Sequence, residues 1–91
     1  MKFEWDRHNR PKCEARAPIA EVERLLSGSP YIDGDPSQVE PRFRAIGRSS
    51  DGRGLFVVFT LRDDRVRVIS ARFMHKEEID VYEKAIPHLR K

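Results

Sequence analysis

Apolar and polar positions along this chain change period several times, and each change marks an element. Residues 2–5 alternate polar and apolar, the two-residue period of a short first strand. Residues 7–17 read as a helix. Asp6 and Asn9 are both candidate N-caps, and Pro11 must lie in the first turn, so the helix starts close to Asn9. Pro18 closes that helix and opens the next, because the residue before a proline is pushed out of helical angles. In the second helix Ile19, Val22, Leu25 and Leu26 form one apolar stripe, and Gly28 is its C-cap.

Residues 29–33 suit a short edge strand, and residues 34–37 carry turn chemistry. Three strands then follow, over residues 39–48, 55–61 and 66–73. The second, rich in Phe and Val, is the centre of the sheet. Their connections, residues 49–54 and 62–65, are short and turn-rich, which makes an antiparallel meander. A last helix covers residues 75–86. It has acids in its first turn, an Ile79, Tyr82 and Ile86 stripe, and Pro87 to end it. The predicted order is β-α-α-β-β-β-β-α, an α+β domain built on one curved, mainly antiparallel sheet.

Charge adds a direction to this pattern. The 91 residues carry 18 Lys+Arg against 15 Asp+Glu, and 13 of the 18 are Arg, the side chain suited to bidentate contact with phosphate or carboxylate. Residues 1–41 hold 6 basic and 8 acidic side chains, residues 42–73 hold 8 Arg and 3 Asp, and residues 74–91 balance at 4 and 4. The positive excess therefore sits in the strand meander. Such a stretch either meets a polyanion or acidic partner, or solubilises the outer face of a sheet.

Strict alternation puts Arg42, Arg44 and Arg48 on one face with Ile46, and Phe43 and Ala45 on the other. In the 66–73 strand it groups Arg72 with Ser70, Val68 and Val66, pointing away from Arg67. An Arg on an apolar face needs a partner or a ligand: an ion pair with Glu40 or a helix acid, or a bound anion.

Several classes are excluded or disfavoured. No apolar run approaches the roughly 18–20 residues of a membrane span. The N-terminus lacks the apolar segment of a signal peptide, and the simplest placement is the cytoplasm. A single cysteine, Cys13, excludes an internal disulfide and a multi-cysteine zinc site. No repeat or low-complexity tract interrupts what reads as one domain over residues 1–91. A chain this short buries only about 60–65% of its unfolded surface, so a partner's cover would add stability.

The strings Phe3-Glu4-Trp5-Asp6, Asn9-Arg10-Pro11-Lys12-Cys13 and Ile19-Ala20-Glu21-Val22-Glu23 resemble the start of BrnT-family toxins. The likeness continues through Glu40-Pro41-Arg42-Phe43-Arg44-Ala45-Ile46-Gly47-Arg48-Ser49 and Leu55-Phe56-Val57-Val58-Phe59-Thr60. Its densest part is Ile69-Ser70-Ala71-Arg72-Phe73-Met74-His75-Lys76-Glu77-Glu78-Ile79, followed by Tyr82-Glu83-Lys84. It covers residues 3–84 in order and is specific as a set.

The resemblance implies a RelE-like fold and a ribonuclease toxin of a bacterial type II toxin–antitoxin system, cutting RNA and halting translation without a metal or cofactor. It implies a BrnA-type antitoxin with a ribbon-helix-helix region, operator DNA reached only through that antitoxin, and a toxin dimer or a heterotetramer. Among the residues, it points to Arg48 and Arg72 as phosphate contacts, with Arg42 and Lys12 next. Arg44, Arg16 and Tyr82 are candidates for RNA contact, Tyr82 by stacking or else as core. Glu40 serves as a base or pins an Arg.

One segment departs from the family. Where the family has Lys-His-Gly-Val between its first two helices, this chain has Glu14-Ala15-Arg16-Ala17-Pro18. The histidine that would carry a proton near neutral pH is absent there. His75 fits a helix cap, His8 an exposed position and His88 a chain end, while Cys13 fits a buried apolar site. Two functions remain open: an active ribonuclease, or a degenerate toxin that only binds antitoxin or nucleic acid. A basic RNA-binding domain unrelated to toxins is the third and least supported.

Overall fold

The computed structural model describes residues 1–35 and 39–86. In chain order the elements are β1 (Lys2–Phe3), α1 (Asn9–Glu14), α2 (Ile19–Ser27), β2 (Tyr31–Asp35), β3 (Arg42–Arg48), β4 (Gly54–Arg62), β5 (Arg65–Phe73) and α3 (Lys76–Ala85). The strands form one five-stranded mixed sheet in the order β1-β5-β4-β3-β2. The strands from β2 to β5 pair antiparallel in sequence, and β1 adds to β5 in parallel. The apolar run of β4 takes the centre, where both faces can be buried. Pro36, Ser37, Pro87 and His88, part of the expected turn and the end of the last helix, lie outside the described residues.

The two faces of the sheet are covered by different helices. On one face Val22, Leu25 and Leu26 of α2, with Cys13 and Ala17, pack on Ala45, Leu55, Val57, Phe59, Val66, Val68 and Ala71. On the other, Ile79 of α3 joins Ile46 and Met74, with Tyr31, Phe56, Tyr82 and Ile86 packed around them. Adjacent residues thus part ways, Ala45 to the first core and Ile46 to the second, as the two-residue period requires. Gly54 lets α3 sit close: a Cβ there would lie 2.8 Å from the Cβ of Ile79.

Three local points are decided by the fold. Of the two candidate caps, Asp6 closes the start of α1. Its Oδ1 accepts the backbone N–H of His8 (2.7 Å) and of Asn9 (3.0 Å). Asn9 is a buried pin instead, donating from Nδ2 to the carbonyls of Glu4 (2.9 Å) and Val68 (3.0 Å) and accepting the N–H of Asp6 at Oδ1 (2.8 Å). Third, β4 and β5 shift register at Val58/Phe59, so that Val58 faces Ser70 and Phe59 faces Val68, with Ile69 left over. This bulge reverses the alternation along β5. Val66 and Val68 before it, and Ala71 after it, all reach the α2 core. Arg67 lies opposite Thr60 and Arg72 opposite Phe56, on the same face of β4. The expectation that Arg72 points away from Arg67 and shares a face with Val66 and Val68 is therefore wrong.

The β4–β5 connection is a tight hairpin. Arg62 pairs with Arg65, and Asp63 (φ 49°) and Asp64 (φ 64°) both take left-handed angles, which Asp tolerates better than most residues.

Candidate nucleic-acid interface

Three rows of side chains cross the α3 face of the sheet. Arg48 pairs with Gly54 in the first; Tyr31, Ile46, Phe56 and Arg72 make the second; Asp33, Arg44, Val58 and Ser70 make the third. The apolar stripe of α3 covers the first two rows. The third is more open, and its Arg44 and Ser70 are exposed. Neighbouring rows are two strand residues, about 6.6 Å, apart.

Arg72 stands between the covered and the open part. Its guanidinium lies over the Phe56 ring, 5.2 Å from the centroid. Its Nη1 and Nη2 donate to the two oxygens of Glu78, at 3.0 and 2.9 Å, and 41% of its side chain stays exposed. Glu78 also accepts the backbone N–H of His75 (3.0 Å), so one carboxylate both closes the N-terminus of α3 and grips Arg72. That grip, helped by the His75 N–H, holds the Glu78 carboxyl down at about 2, and the Arg72 guanidinium is pushed up in return. Tyr82, one turn along, packs in the same cluster beside Phe56.

Arg48 is held differently. Its Nε (2.8 Å) and Nη2 (2.6 Å) donate to Glu83, and Nη1 donates to the carbonyl of Gly52. It thereby ties α3 to the loop between β3 and β4. Arg44 donates from Nε to Asp33 at 2.7 Å, and Glu40 meets Arg62 at 3.2 Å, which is the pinning role among its two expected ones. Arg67 donates to Asp6 at 2.8 Å, and that bond, with the N–H groups of Asn9 and His8, holds the Asp6 carboxyl well below the usual carboxylate range. Among the described residues five arginines of the 42–73 stretch are thus in ion pairs, every one with an acid from outside it.

The structure therefore brings Arg48, Arg72 and Tyr82 together around α3, with Arg44 one row away on the same face. Arg42 is exposed at the start of β3. Lys12 and Arg16 do not join this cluster. They are exposed on α1 and the turn after it, in the helical layer that packs on the other core. Lys12 borders a cavity of about 140 Å³ with His8, Asn9, Arg67, Val68 and Ile69. Cys13 is buried, and burial pushes its thiol up, away from the reactive thiolate. Trp5 donates to Glu23 at 2.8 Å and packs against the α2 core.

Of the alternatives for Arg72, the ion pair with a helix acid is the one found, with Glu78 as that acid, while sequence reasoning missed Glu83 and Phe56. The helical period held the signal: Glu78 and Glu83 flank the stripe of Ile79, Tyr82 and Ile86 on α3, so both lean towards the sheet. Among the described residues no group of three His, Cys, Asp or Glu side chains is placed to hold a metal ion, and no helix is long and apolar enough to cross a membrane. What the arrangement offers is a set of anchored guanidinium groups with an aromatic ring below one of them, suited to a phosphate and an adjoining base.

Searches of curated proteins and of solved structures return no match. Residues 5–78 match the family described as "Ribonuclease toxin, BrnT, of type II toxin-antitoxin system". That match spans most of the chain, including the α3 face as far as Glu78, and the chain belongs to the BrnT family of ribonuclease toxins of type II toxin–antitoxin systems.

Proposed function

We propose that this chain is a metal-independent endoribonuclease whose active surface is the part of the sheet beside α3, centred on Arg72. The observation that carries this reading is the fixed guanidinium of Arg72, gripped by Glu78 over Phe56 at the edge of the open Arg44 and Ser70 row. In such a reaction the ribose 2′-OH attacks its own phosphate. The protein then has to align the attacking and leaving oxygens and stabilise the charge that grows on the phosphorane. Arg72 and Arg48 take the phosphate, and Arg42 the neighbouring backbone. Arg44 and Tyr82 contact the RNA chain, Tyr82 through its ring. Lys12 and Arg16 contact RNA away from the scissile group. The scaffold is a single RelE-like domain acting in the cytoplasm.

RNA cleavage of this kind inhibits translation, and a BrnA-type ribbon-helix-helix antitoxin covers the basic surface to stop it. Operator DNA is reached only through that antitoxin, in a complex built on a toxin dimer or a heterotetramer. A second reading, a binding module without catalysis, is favoured by one observation. The segment that departs from the family, Glu14 to Pro18, offers no histidine, and its Ala17 is buried in the core.

Inducible expression separates the two. Wild-type protein without its antitoxin is expected to slow growth and, purified, to cut RNA in the presence of a chelator. Arg72→Ala is expected to relieve both effects. Wild-type protein that neither slows growth nor cuts RNA rejects the enzyme and leaves the binding module.

A further inference from the structure

A guanidinium has five N–H groups, arranged as an end fork (Nη1 and Nη2) and a side fork (Nε and Nη2). Glu83 occupies the side fork of Arg48, and Gly52 takes a further donor from Nη1. Glu78 occupies only the end fork of Arg72. The Nε–H of Arg72 and the second N–H on its Nη2 have no partner among the described residues. We propose, building on the ribonuclease reading above, that Glu78 is a positioning residue: it holds Arg72 by the end fork so that the side fork stays open for two oxygens of the reacting phosphate.

Three features fit this role. Glu78 is itself fixed by the backbone N–H of His75, so the guanidinium is anchored to the start of α3. Phe56 lies beneath the guanidinium and limits how its plane can swing. The carboxylate also lowers the net charge that Arg72 presents. An arginine held this way is poorer as a ground-state anion trap and better aimed at charge that appears during reaction, which raises kcat and leaves KM unchanged or higher. Arg48, with three donors committed, serves first as the tie between α3 and the β3–β4 loop.

The test is a double-mutant cycle on RNA cleavage with purified protein, using Glu78→Gln, Arg72→Ala and the pair of changes together. Thermal melts verify that each variant is folded at the assay temperature. Gln keeps the size and an acceptor oxygen for His75 but removes the charge. Expected is a fall in kcat of at least tenfold for Glu78→Gln with KM unchanged or lowered, and a double variant no slower than Arg72→Ala alone. Non-additivity of that kind means Glu78 acts through Arg72. The inference is overturned if Glu78→Gln keeps kcat within twofold, cleaves faster than wild type, or multiplies with Arg72→Ala. If wild-type protein does not cut RNA, the ribonuclease reading falls and takes this inference with it. If wild type cuts and Glu78→Gln cuts equally well, this inference alone falls.

Discussion

Gly54→Ala tests how α3 is seated on the sheet. A Cβ at this position would lie 2.8 Å from the Ile79 Cβ, 3.1 Å from its Cγ1 and 3.1 Å from the Met74 Cβ. Ordinary carbon contacts lie at about 3.5–4.0 Å. Two of the three opposing atoms are Cβ atoms, which no rotamer change can withdraw. Relief therefore requires α3 and the residues leading into it to move away by roughly 0.5–1 Å, against the packing of Ile46, Phe56 and Tyr82. Overpacking of this kind costs about 1–3 kcal/mol. Alanine recovers about 0.4–1 kcal/mol by restricting the unfolded chain. The net loss is about 1–2 kcal/mol, and for a domain of this size each kcal/mol moves Tm by about 4–8 °C. A circular dichroism melt at neutral pH is expected to show Tm lower by about 5–15 °C. Gly34→Ala is the matched control, since its Cβ would meet nothing closer than the Phe43 ring at 3.4 Å. That change should stay within about 0.5 kcal/mol of wild type. A Gly54→Ala protein that melts with wild type, or above it, refutes the close seating of α3.

Two further outcomes follow from the same contacts. Asn9→Ala removes three buried or half-buried hydrogen bonds and leaves the Glu4 and Val68 carbonyls and the Asp6 N–H without partners, so urea unfolding should show a loss of about 2–4 kcal/mol. Stability should also fall in acid. The Glu78 carboxyl is lowered from 4.5 to about 2 in the folded chain, first by Arg72, and Asp6 is lowered in the same direction by Arg67. A depressed carboxyl stabilises the fold above its unfolded value and stops doing so as pH drops through the folded one. The midpoint of urea unfolding should therefore hold steady from about pH 5 upward and drop below about pH 4. Glu78→Gln should flatten that acid limb, and an unchanged limb in this variant removes the Arg72 pair as its cause.

Much of the fold was legible in local pattern. The α2 stripe, the central Phe- and Val-rich strand and the α3 stripe each announce a buried face through a period of 3.6 or 2, and each is buried as the period requires. The choice of Asp6 over Asn9 as the cap was not legible. Both side chains suit a cap, and what decides is the carbonyl of Val68, 59 residues away, waiting for the Asn9 amide. At the candidate interface, Arg72 and Arg48 stood out by residue type and by resemblance, and a helix acid was one expected partner for Arg72, but which acid it is and the partner of Arg48 were not legible.

By itself the sequence determined the element types, the placement of positive charge in the 42–73 meander, and the family. These depend on neighbours in the chain or on strings of residues. Tertiary structure decided which way the charges point and whom they meet. One unpaired residue, Ile69, reverses the alternation of β5 and turns Arg67 and Arg72 to the same face, because register belongs to the pair of strands and not to either one. The arginines of the meander then find their acids at Glu4, Asp6, Asp33, Glu40, Glu78 and Glu83, all outside the meander. A charge sum along the chain counts those acids as distant. Coulomb attraction acts through space, so the fold brings them within bonding distance and offsets much of the positive excess that the chain sum assigns to the meander.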